Sequence, residues 1–212
     1  ENPHVHAAAP LKRPKFTHTL PRRPKILYDL CRKHPLHKEV PVVLAKIWLI
    51  GRAYAAAIER RRDKEDQNDD FYIQTVAPHI IKSDIDAWIA GAAKYLTVNE
   101  QSFDVVLSAH ANVTRLFSDI SGLEKRSLAS KYLHFHLPKL FYIYDTRAVE
   151  AMRLLFSIVG RACGHANAAD NEYRKFAEKC LRLQMHIHDK YRVLHDTTAI
   201  DNLLLHIHAN ET

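Results

Sequence analysis

A chain of 212 residues with 47% hydrophobic content can bury a sizeable core, as one domain or as two small lobes sharing an interface. Its 31 Lys and Arg against 24 Asp and Glu leave a formal charge of +7, a surplus that, where clustered, favours phosphate-bearing partners through counterion release. Three cysteines, Cys31, Cys163 and Cys180, with no C-x-x-C pair, argue against a disulfide framework or a thiolate zinc site.

No apolar stretch is long enough to span a bilayer, and the N-terminus lacks the charged-then-apolar pattern of a signal peptide. The expectation is a protein that does not enter membranes and works in a reducing cytoplasm, free or associated with the nucleoid.

At the start of the chain Pro3, Pro10, Pro14, Pro21 and Pro24 alternate with Lys12, Arg13, Lys15, Arg22, Arg23 and Lys25, with no acid after Glu1. Prolines oppose regular structure, and the cations repel one another unless an anion gathers them. Residues 1–25 are expected to be an extended basic arm that touches phosphates, or a leader with no role of its own. Residues 26–212 are expected to form one helical domain with two lobes.

Arg32 and His37 have the R-x4-H spacing of a small family of helical ribonucleases, but Pro35 breaks the continuous helix such a site needs. Leu44, Ile47, Trp48, Gly51, Tyr54 and Ile58 recur at three- and four-residue steps. The spacing predicts a helix from near Val40 into the run Glu59-Arg60-Arg61-Arg62, with that stripe in the core. Arg60 to Asp70 carries no apolar residue and reads as a solvated helix end and loop, with Arg60, Arg61 and Arg62 as an alternative phosphate grip.

Ser83 caps an expected helix with acids in its first turn and Trp88, Ile89, Ala92, Tyr95 and Leu96 on its buried face. A second is expected from about Asn99 through Leu116-Phe117. Beyond these, Val149, Met152, Leu155-Phe156 and Val159 form an apolar stripe ending near Gly160. Tyr173 to Tyr191 reads as a long helix and Thr198 to Ile207 as a short last one. No run alternates long enough to demand a sheet, so the fold class is all-α.

The stretch from Ser121 to Met152 carries the chemistry. Gly122 permits a tight turn before a helix whose first amides, with Lys125, Arg126 and Ser127, form a natural seat for a phosphate. That helix buries Leu128, Tyr132 and Phe135 and must stop before Pro138. Phe141-Tyr142-Ile143-Tyr144 then crosses the core in extended form, and Asp145-Thr146-Arg147-Ala148 opens the next helix. Asp145 is either a helix cap worth about 1 kcal/mol or a carboxylate facing a cleft.

A Gly-containing turn, a helix, an extended link and an Asp opening a second helix resemble the helix-hairpin-helix superfamily of DNA base-excision glycosylases. The family's Val-Asp-Thr-His-Val type signature is matched here by Tyr144-Asp145-Thr146-Arg147-Ala148. The resemblance implies that Asp145 is the essential carboxylate, stabilising an oxocarbenium-like sugar and orienting water. It also implies that the base is flipped from double-stranded DNA into a pocket between two helical lobes. Gly122, Lys125, Arg126, Ser127, Lys131 and Arg147 are the expected DNA contacts, and Trp48, Tyr54, Tyr142, Tyr144 and His134 the expected base-pocket residues.

The chain departs from that pattern in two places. The family's hairpin carries two glycines around a hydrophobic residue, whereas here Gly122 is followed by Leu123-Glu124-Lys125. Where bifunctional members place a lysine nucleophile, this chain aligns Ser127 or Arg126, with Lys125 and Lys131 off register. A monofunctional, water-using enzyme is therefore expected, acting as a monomer. With no cysteine cluster for an iron-sulfur centre, no cofactor is implied.

Fifteen histidines include His134-Phe-His136, His186-Ile-His188 and His206-Ile-His208, but residues two apart on a helix point about 200° from one another and cannot chelate one ion. No metal is expected. The competing class is a non-catalytic nucleic-acid-binding helical protein in which Asp145 is only a cap.

Overall fold

The computed structural model describes residues 25–59, 70–162 and 170–211, and among these the regular structure is entirely helical. The basic arm and Arg60–Arg62 lie outside the described residues, apart from Lys25, which opens the first helix.

Helix α1 spans Lys25–Lys33 and α2 spans Val40–Ala53, with Pro35 in the break between them. Pro41 sits in the first turn of α2, where its missing N–H costs nothing. The expected extension of α2 to Glu59–Arg62 does not occur. Ala55 adopts φ 49°, and the Ala56 N–H turns back to the Gly51 carbonyl at 2.8 Å. The return passes so near the helix that a Cβ on Gly51 would stand 2.9 Å from the Ala57 Cα. Ile47 and Ile50 carry the buried face, and Ile58 is buried from beyond the turn. Trp48, expected in that core stripe, is half exposed.

A π-helical turn, Phe71–Val76, runs straight into α3, Ala77–Lys82. Ser83 closes α3, its hydroxyl accepting from the Ile85 N–H at 3.3 Å, and α4, Ile85–Ala92, has Asp84 rather than Ser83 at its N-cap position, with no side-chain capping bond. Ile89 and Ala92 are buried as read, but Leu96 is 88% exposed. The next helix starts at Phe103 rather than Asn99. The Asn99 side chain accepts from the Gln101 and Ser102 amides in a turn that precedes α5, Phe103–Ser121.

Beyond it lie α6, Arg126–His136; α7, Thr146–Leu154; a short α8, Phe156–Val159; α9, Asn171–Tyr191; and α10, Thr197–Glu211. Phe156, expected in the apolar stripe, is 56% exposed. Among the described residues no helix is long and apolar enough to cross a membrane. Cys31 and Cys180 are both buried free thiols.

Buried apolar residues gather into two clusters. The first joins α1 to α6 through Leu27, Val43, Ile80, Phe117, Tyr132 and Phe135. The second joins α7, α9 and α10 through Met152, Tyr173, Phe176, Leu183, Ile200 and Leu204. The link after α6 crosses between them, since Leu140 and Phe141 belong to the first and Tyr142 to the second. Each such large side chain contributes about 1.5–3 kcal/mol by leaving water, which fixes the course of the link without regular backbone bonding.

Candidate active site

Gly122 ends α5 in the left-handed region, φ 68°, its N–H returning to the Ser118 carbonyl at 2.8 Å. The hydroxyls of Ser118 and Ser121 both donate to the Leu123 carbonyl, at 3.1 and 3.0 Å, closing the turn before α6 starts at Arg126. On α6, Ser127 and Lys131 are four residues apart and share a face. Lys131 Nζ donates to Ser127 Oγ at 2.9 Å.

The helix ends at His136, ahead of Pro138 as expected, and the returning link is tied to α6 by the Tyr144 N–H donating to Ser130 Oγ at 3.0 Å. That tie delivers Asp145 beside Lys131. Asp145 Oδ1 caps α7 by accepting from the Ala148 N–H at 3.0 Å. Its Oδ2 lies 3.5 Å from Lys131 Nζ and 3.6 Å from the Arg147 guanidinium. The carboxylate is thus oriented by one oxygen and paired through the other.

This corner forms one wall of a cavity of about 1030 Å³. The turn after α2, from Arg52 to Ala57, forms a second wall, and Asp201, Asn202 and Leu205 of α10 a third. The cavity therefore lies where the two core clusters meet. Lys131 is 2% exposed; burial holds its ammonium below the ordinary lysine range, while Asp145 opposes that shift. Its charge also lies 5.8 Å from the centre of the Tyr54 ring.

Seven of the residues read from sequence line this cavity: Tyr54, Lys125, Ser127, Lys131, Tyr144, Asp145 and Arg147. Five do not. Gly122 shapes the turn beneath it. Arg126 donates to Asp170 at 2.7 Å and to Glu124 at 2.7 Å, and lies over the Tyr144 ring. Trp48 packs near Tyr72 and does not line the cavity. Tyr142 is a core residue, its hydroxyl donating to Gln184 at 2.8 Å and its carbonyl accepting from the Tyr173 hydroxyl. His134 is fully buried, with Nδ1 on the Phe141 carbonyl at 2.8 Å and Nε2 beside the Tyr28 hydroxyl at 2.9 Å.

Asp201 and Asn202 were not foreseen as site residues, because α10 carries no motif and reaches the cavity by tertiary packing, chiefly along α7. A buried polar cluster was missed as well. His37 Nδ1 meets Asp86 at 2.6 Å and its Nε2 meets the Tyr132 hydroxyl at 2.7 Å, with Lys46 Nζ 3.5 Å from that nitrogen. Its R-x4-H partner Arg32 is exposed and pairs with Asp29, so the two do not form a site together. Among the described residues, no three His, Cys, Asp or Glu side chains converge as metal ligands.

A carboxylate fixed in orientation on the wall of a large cleft can stabilise positive charge developing on a bound group and hold a water for attack, while cations beside it suit flanking phosphates. Compared with family models, curated proteins and solved structures, the chain matches none.

Proposed function

We propose that the protein is a monofunctional DNA glycosylase that hydrolyses the N-glycosidic bond of a damaged or modified base flipped out of double-stranded DNA. The observation that carries this reading is Asp145, held by its α7 cap at the wall of the cavity where the two core clusters meet. Extruding a base costs a few kcal/mol of stacking and pairing, and a cleft of this volume gives the flipped nucleotide a place to go.

As the bond between C1′ and the base nitrogen breaks, the base leaves with the electron pair and the sugar gains oxocarbenium character. The Asp145 carboxylate stabilises that charge and orients a water, whose oxygen bonds to C1′ while one of its protons ends on the departing base nitrogen, so that the products are the neutral free base and an abasic site. Lys125 and Arg147, at the cavity rim, contact the flanking phosphates, and Tyr54 and Tyr144 offer aromatic faces to the base. The enzyme acts as a monomer without a cofactor, in repair or in defence against phage DNA with modified bases.

The capping bond favours one rival, a nucleic-acid-binding protein without catalysis, since the cap alone gives Asp145 a structural purpose. Alkali-revealed strand cleavage separates the two. The wild type is expected to generate abasic sites in at least one DNA of a panel with uracil, alkylated, oxidised and hypermodified bases, and Asp145→Asn none. Intact DNA binding with no abasic site on any substrate would favour the rival.

A further inference from the structure

Resting on the glycosylase reading, we infer that the base taken by this cavity is enlarged by a bulky, hydroxyl-bearing substituent, of the kind a glycosylated pyrimidine carries. Three features of the site point there. Its volume of about 1030 Å³ lies just above the roughly 300–1,000 Å³ that suits whole drug-sized ligands. A bare or methylated base seated beside Asp145 leaves much of that space to water.

The second feature is the wall supplied by the turn after α2. Beside the longer Arg52 and Tyr54, the residues Ala53, Ala55, Ala56 and Ala57 contribute only methyl groups to it, and the close approach at Gly51 pulls the turn against its own helix. At these four positions the side chains are too short to fill the space in front of them. The third feature stands on the α10 wall, where Asp201 and Asn202 bring a carboxylate and an amide to the same cavity. A carboxylate accepts from hydroxyls, and an amide both donates and accepts, so together they suit the alternating donors and acceptors of a polyol.

The test compares abasic-site formation by the full chain on four DNAs: unmodified; bearing uracil, alkylated or oxidised bases; bearing 5-hydroxymethylcytosine; and bearing the glucosylated form of that base. Glucosylated DNA is expected to be processed about a hundredfold faster than its unglucosylated counterpart, since a site built to bond hydroxyls discriminates strongly against their absence. Ala53→Trp, at an exposed position of the alanine wall, is expected to slow the glucosylated substrate by roughly tenfold or more by filling that side.

Base release confined to small or unglucosylated bases would overturn this inference and leave the glycosylase reading standing. Release from glucosylated DNA that is unchanged in Ala53→Trp would also overturn it. No release from any DNA would overturn the glycosylase reading itself, and the inference with it.

Discussion

Lys131 Nζ stands 3.5 Å from Asp145 Oδ2 while donating to Ser127 Oγ at 2.9 Å, which joins the middle of α6 to the cap of α7. The contact is almost dry, with the two side chains 3% and 15% exposed. Both oxygens of Asp145 are thereby committed before a ligand arrives, one to the Ala148 amide and one to a cation. A group fixed in this way spends little on reorganisation when charge develops nearby.

Asparagine at position 145 can still accept the Ala148 amide, but it leaves the buried Lys131 charge without its partner. Asp145→Asn is expected to stay folded and to lose roughly 1–3 kcal/mol, the cost of an uncompensated buried group. Asp145→Ala also loses the cap and is expected to fall about 1 kcal/mol further. Urea unfolding of the three proteins measures both steps. Full base release by the Asn variant would remove Asp145 from the proposed mechanism.

Arg147 and Arg126 differ in ways that their sequence neighbourhoods hide. The Arg147 side chain is 56% exposed at the cavity, whereas Arg126 is 17% exposed and bonded to both Asp170 and Glu124. Arg147→Ala is expected to weaken DNA binding and to reduce the slope of log affinity against log salt by roughly one. Arg126→Ala is expected to act on stability, because it leaves Asp170 without its nearest cation, and to change the salt slope much less. Equal slopes for both variants would contradict this assignment.

The elements around Asp145 were legible because local rules decide them. Pro138 ends α6, Asp145 caps α7, and Ser127 and Lys131 share a face by helical spacing. Tyr142 was misplaced for an equally physical reason: an extended link shows no period that tells its cavity side from its core side. The bond from the Tyr142 hydroxyl to Gln184, 42 residues on, decides the matter and leaves no trace in local sequence. The same holds for Arg126, whose partner Asp170 lies 44 residues away. The α2 boundary was misread because apolar spacing continued through Tyr54 and Ile58 although the chain had already turned back at Ala55.

That turn makes a testable contrast between two glycines. A Cβ at Gly51 meets backbone of Ala57, which cannot yield as a flexible side chain would, whereas a Cβ at Gly91 in α4 meets nothing within 4 Å. Gly51→Ala is expected to destabilise by about 1–3 kcal/mol through overpacking and to displace the alanine wall of the cavity. Gly91→Ala is expected to stabilise by roughly 0.5–1 kcal/mol, since alanine is the better helix former. Thermal unfolding of both variants reads the opposite signs, and a neutral Gly51→Ala would show that the turn is free to move.

The polar cluster beside α1, α2, α4 and α6 sets how the fold answers acid. Burial and the nearby Lys46 charge push His37 down to about 4, with Asp86 opposing. His136, its ring 5.0 Å from that of His37, is held well below the usual histidine value by burial, Lys46 and His37. Lys46 is itself lowered to about 8, chiefly by burial, with Cys31 and Asp86 opposing, and the Tyr132 hydroxyl completes the group. An unfolded histidine takes up its proton near pH 6.5, whereas folded His37 does so only near 4. The unfolded chain therefore binds more protons in that window, and the stability contributed by the neutral ring, complete above pH 6.5, is lost as pH falls through 4. At 1.36 kcal/mol for each unit the loss from His37 is about 3 kcal/mol. Lys46→Met keeps the side-chain volume and removes the charge, so both rings are expected to titrate closer to their ordinary value and the acid loss to shrink. Urea midpoints of the wild type and Lys46→Met between pH 7 and pH 4 test this, since carboxylates elsewhere contribute equally to both proteins. Parallel curves would mean that Lys46 does not control the protonation of this cluster.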